Sequence, residues 1–214
     1  MTTIAQTLFD IEKVQQDIKR QLDNGKVQPS TFIEDIINII HVYHFDLLAH
    51  SSLDTAKTEL SNVSNPFLVK YRSLSRKDGM HKEYIRWLNI GGLFVVCNIF
   101  EKFVRETHGH IFKDVKIKHL KGAYEHILQS KNIDNSTLHR MVREFSLIRF
   151  IRNSFSHGDI YTNPKTRTFV LGGETYELEE GKSVKPIRLM TAITVFWQHY
   201  FKIISSPSID TLRG

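Results

Sequence analysis

The chain has 214 residues, 41% apolar and 24% charged, which excludes a disordered or fibrous protein and is long enough for a substantial core. Its one cysteine, Cys97, excludes a disulfide framework and a cysteine-rich zinc site. The net charge of +6 favours polyanionic partners such as RNA, DNA or an anionic membrane surface.

In chain order, residues 1–6 carry no basic segment followed by an apolar run, so no signal peptide is expected. Ile4, Leu8, Ile11, Val14, Ile18 and Leu22 predict an amphipathic helix over 3–23. Pro29-Ser30-Thr31 opens a second helix, with Ser30 or Thr31 as its N-cap, running to or past His50. Residues 61–79, with Asn65-Pro66 and Asp78-Gly79, predict an irregular connection. A third helix is expected over 81–108, a fourth over 117–131 and a fifth over 136–156 capped by Asn135 or Ser136. Gly158 is placed to stop the fifth. Gly172-Gly173 between the runs 166–171 and 174–178 signals a β-hairpin. Pro186 begins a last helix over 186–204, with Phe196, Trp197, Tyr200 and Phe201 as a candidate dimer surface.

The window 85–104 contains Arg86, Asn89, Asn98 and Glu101, too polar for a membrane span, and reads as a buried helix. The expectation is a single mainly α domain over 1–214, cytoplasmic and without a membrane partner. Cys97, in the apolar stretch from Leu93 to Phe100, is expected to be core packing rather than a nucleophile.

Two helices carry one charge each in an apolar stripe. On the fifth, Leu138, Met141, Phe145, Ile148 and Phe155 form a seam that Arg152 interrupts. On the third, Trp87, Ile90, Phe94, Cys97 and Val104 form one that Glu101 interrupts. Opposite charges in two buried stripes imply that the helices pack together and that Glu101 meets Arg152. Such a pair either fixes helix register or belongs to a functional site. Beyond Arg152, Asn153 and His157 share a face at the helix end, where the macrodipole favours an imidazolium. A guanidinium, an amide and an imidazole suit a phosphodiester: Arg for the anionic oxygens, His for proton transfer, Asn for orientation.

The run Arg152-Asn153-Ser154-Phe155-Ser156-His157-Gly158 resembles the Arg-x(4–6)-His motif of HEPN domains, in the form with Asn directly after Arg. The resemblance covers about 80–160, with helices over 1–60 and the hairpin and last helix over 165–205 as additions. It implies an up-and-down helical bundle, a homodimer lining one cleft with two motifs, and a metal-independent endoribonuclease using the ribose 2′-OH. It further implies RNA as partner, and a toxin or antiviral effector with an antitoxin or regulatory protein. Arg152, Asn153, His157 and Glu101 would be the catalytic set, with Arg149, Tyr161 and Ser156 contacting RNA. No metal or other cofactor is expected. Some HEPN toxins carry a tyrosine two residues after the motif histidine as a modification target; Asp159 stands there in this chain, so that regulation is not implied.

The alternative is a non-catalytic HEPN module that binds nucleic acid or protein, with the motif structural. A DNA-binding regulator would need a recognition helix of exposed Arg, Lys, Asn or Gln, and no helix offers one. His41 and His44 share a helix face without a third ligand at a recognisable spacing. For Tyr161, loop packing stands beside base stacking.

Overall fold

The described residues of the computed structural model are 4–59, 78–113, 115–156, 158, 161 and 166–207, with side chains over 6–49 and from 86 onward within those ranges. The elements are α1 (Ile4–Asp23), α2 (Thr31–Glu59), α3 (Asp78–Ile111), α4 (Leu120–Ser130), α5 (Asn135–Ser156), β1 (Arg167–Leu171), β2 (Glu174–Leu178) and α6 (Leu189–Ser205). The fold is mainly α with one antiparallel hairpin after α5, as the sequence pattern implies.

The starts of three helices are set by side chains. Ser30 is the cap of α2: its hydroxyl accepts from the Ile33 N–H at 3.4 Å. The cap of α5 is neither Asn135 nor Ser136 but Asp134, whose carboxylate accepts from the Thr137 N–H at 2.9 Å and from the Ser136 hydroxyl at 2.6 Å. Those bonds hold its carboxyl well below the usual range. The last helix starts at Leu189 rather than at Pro186. Its first N–H donates to the buried Asn89 Oδ1 of α3 at 2.7 Å, so a tertiary contact sets the start.

Two boundaries of α3 differ from expectation. Asp78 and Gly79 open it instead of closing the preceding connection, the rest of which lies outside the described residues. It also runs through Gly109 to Ile111, because His108 is buried against Phe112 and His126.

One apolar cluster joins all eight elements. α3 and α6 are its axis: α3 touches α2, α4, α5 and α6, and α6 touches α1, α3 and α5. Residues 86–111 are long and apolar enough by length and composition to cross a membrane, and in this fold they form the packed centre of the bundle. Cys97 is buried there, and burial pushes its thiol up to about 12, far from a reactive thiolate.

The seam of α3 is met in part: Ile90, Cys97 and Val104 are buried as expected, Phe94 is half-buried, and the departure is at Trp87. Trp87 is 63% exposed, whereas Leu93, Val96, Cys97, Phe100 and Val104 face inward. α6 is buried nearly all round. Phe196, Trp197 and Tyr200 therefore sit in the core and are not a dimer surface, a correction to the sequence expectation. Phe196 stacks on Phe100 with centroids 4.3 Å apart, and Trp197 donates to Asp17 of α1 at 2.7 Å.

The hairpin alternates as a half-buried ribbon does: Leu171, Tyr176 and Leu178 face the bundle while Thr168, Val170 and Glu177 face out. Gly172 and Gly173 both hold positive φ (56° and 79°), which a type I′ turn requires of both central residues. A Cβ on Gly172 would lie 2.6 Å from Thr191 Cγ2, so the turn is seated directly on α6.

His199 of α6 is fully buried and bonds Glu144 of α5 through Nε2 at 2.8 Å, while its Nδ1 is buried without a partner among the described residues. Burial holds its imidazole below its ordinary value, against the opposing pull of Glu144. A neutral ring donating from Nε2 fits this geometry, because an imidazolium would bury an unpaired Nδ1–H. The unfolded chain takes up the proton near pH 6.5 and the folded one only at lower pH. The His199 contribution is thus present in full above about pH 6.5 and is lost as pH falls through the folded value. Thermal melts of wild type and His199→Gln, which keeps a donor to Glu144, should diverge: the fall in Tm from pH 7 to pH 5 is expected to be smaller in the variant. Parallel Tm profiles would remove His199 as the source.

Candidate functional site

The packing of α5 against α3 builds the site. Asn98 and Glu101 lie one turn apart on α3, and Arg149 and Arg152 lie one turn apart on α5, so two pairs face each other across the helix interface. Arg152 Nη2 donates to Glu101 Oε1 at 2.8 Å, the contact expected from the two interrupted seams. Arg152 Nη1 also donates to Asn98 Oδ1 at 3.3 Å, and its guanidinium lies 6.0 Å from the Phe94 ring centroid.

Arg149 joins the same carboxylate, which the stripes on the two helices did not reveal. Its Nε donates to Glu101 Oε1 at 2.7 Å, and its guanidinium lies 5.4 Å from the Phe145 centroid. One carboxylate thus carries two guanidiniums and leaves one positive charge in excess. The three side chains are largely covered: Arg152 is 12% exposed, Glu101 14% and Arg149 28%. Arg152 Nε is buried with no acceptor among the described residues.

Asn153 does not join this network. Successive helical residues leave the axis about 100° apart, so Arg152 turns toward α3 while Asn153 is exposed. Ser156 is exposed at the last position of α5. Gly158 follows at φ 95°, the left-handed conformation that ends helices and that glycine adopts most readily. His157 and Asp159 lie outside the described residues.

Tyr161 is 2% exposed, and its ring meets Phe150 edge-on at 5.6 Å. Its N–H donates to the Lys182 carbonyl at 3.0 Å, and its own carbonyl accepts from Gly181 at 2.9 Å. The side chain packs the loop and has no free face for a base, which corrects the RNA-stacking expectation.

Elsewhere, His108 Nε2 and His126 Nδ1 are 3.5 Å apart. Among the described residues no three His, Cys, Asp or Glu side chains converge. The chemistry available at the α3–α5 site is therefore a covered cation pair on one carboxylate, with an amide and a helix end beside it. Compared with protein-family models, curated proteins and solved structures, this chain gives no match.

Proposed function

We propose that the chain is a metal-independent endoribonuclease of HEPN type, acting in the cytoplasm as a homodimer and serving as a toxin or antiviral effector under a regulatory partner. The observation that carries this reading is the excess cation at the motif: Glu101 Oε1 holds both Arg149 and Arg152 beside the Asn153 end of α5. In this reading Glu101 orients Arg152, which stabilises charge developing on the phosphoryl oxygens. His157 takes the proton of the ribose 2′-OH as the new O–P bond forms. The P–O5′ bond breaks, the leaving oxygen is protonated, and a cyclic phosphate remains. Asn153 positions the substrate.

A second reading is a non-catalytic binding module whose motif braces α3 against α5. It is favoured by the low exposure of Arg152 and its bonds to Glu101 and Asn98.

Cleavage of a mixed RNA pool in EDTA separates the two. Wild type should cut, and His157→Ala should lose about a hundredfold or more of the rate with its circular dichroism unchanged. Folded wild type that leaves the pool intact would hand the assignment to the binding module, and a fully active His157→Ala would remove His157 from the chemistry.

A further inference from the structure

On another face of α5, between α4 and the hairpin, lies a groove of about 470 Å³, within the range of ligand sites. A neighbouring depression of about 390 Å³ shares His139, Arg143, Leu147 and Phe169 with it, so the two adjoin as one channel along α5. Its floor is apolar, with Val142, Leu147 and Leu178 buried. At its mouth Phe150 is 40% exposed, propped edge-on by Tyr161.

The polar groups are placed for an anionic, flat-faced ligand. The Arg143 guanidinium rests over the Phe169 ring at 5.6 Å. Neither Arg143 nor Arg167 pairs with a carboxylate among the described residues, whereas Lys121 lies 3.7 Å from Glu125. Ser146 Oγ, also in the lining, is buried and has no hydrogen-bond partner among the described residues. Unpaired cations along an open channel with an exposed aromatic ring are what single-stranded nucleic acid uses: phosphates on the arginines, a base on the ring.

The channel also leads to the motif. Arg143, Ser146, Phe150 and Asn153 are spaced 3-4-3 and share one face of α5. From Arg143 to Asn153 is about 15 Å along the helix. We propose that this groove binds single-stranded RNA, seating a base against Phe150 and phosphates at Arg143 and Arg167, and directs the strand to Asn153. In naming the strand that reaches the motif, the inference rests on the ribonuclease reading; the groove itself is tested apart from cleavage.

The probe is a fluorescein-labelled, single-stranded 2′-O-methyl oligoribonucleotide of about a dozen residues, which lacks the 2′-OH nucleophile. Its fluorescence anisotropy is titrated with the full chain. Arg143→Glu and Phe150→Ala should each weaken binding about tenfold or more, and Arg143→Glu should lower the salt slope by about 0.7. Lys19→Glu on α1, a charge-matched control on an exposed position, should leave binding unchanged. Failure of wild type to bind, equal binding by both groove variants, or equal competition by duplex RNA would overturn the proposal. If the groove variants lose binding while unmodified RNA stays uncut by wild type, the groove stands and the catalytic reading falls.

Discussion

Phe100→Ala is expected to lower stability by about 3–5 kcal/mol, which for a chain of this size is a fall in Tm of about 6–20 °C. Phe100 is fully buried and stacks on Phe196 at 4.3 Å. It also meets Phe145 edge-on at 5.6 Å and Tyr124 edge-on at 5.7 Å. Truncation removes the ring that links α3 to α4, α5 and α6 at once, and those three helices are too constrained by one another to close the space. Phe100→Leu should cost less, since most of the volume stays. Differential scanning calorimetry on both variants is the check; a shift in the alanine variant below about 3 °C would mean that the bundle collapses around the gap.

Glu101→Gln is expected to cost about 3 kcal/mol, or about 6–12 °C in Tm. The variant keeps the shape and removes the charge, leaving two guanidiniums in a largely covered place without a carboxylate. Both are less than a third exposed, so solvent screens them incompletely. Adding Arg152→Gln to Glu101→Gln should recover part of the loss, because one of the stranded charges is gone. Melting of Glu101→Gln within about 2 °C of wild type would show the triad to be as weak as a surface pair.

The meeting of Glu101 and Arg152 was legible because each charge stands where the helical period calls for an apolar residue. The part played by Arg149 was not, since a basic residue on a helix flank reads as solvated. The seam of α3 was also hard to orient. Residues 93–100 are apolar on nearly every side, so periodicity cannot choose a face, and the choice falls to packing around Phe100. Similarly, α6 has apolar residues around most of its circumference. Its burial comes from being enclosed by α1, α3 and α5, which no local pattern encodes. The hairpin was legible for the opposite reason: adjacent glycines fix the turn locally. In the candidate site, sequence spacing put Arg152 and Asn153 together at one helix end, whereas the helix turns them apart.

The position of α6 in the chain bears on how the protein is made. Its links are to segments far upstream: Tyr200 bonds Ser30 at 2.9 Å, and Trp197 bonds Asp17 at 2.7 Å, across 170 and 180 residues. Until the segment around 189–205 has left the ribosome, α1 and α3 have no partner for the faces that α6 covers. Those apolar faces lack that cover until α6 has been made, a window in which aggregation or a chaperone competes with folding.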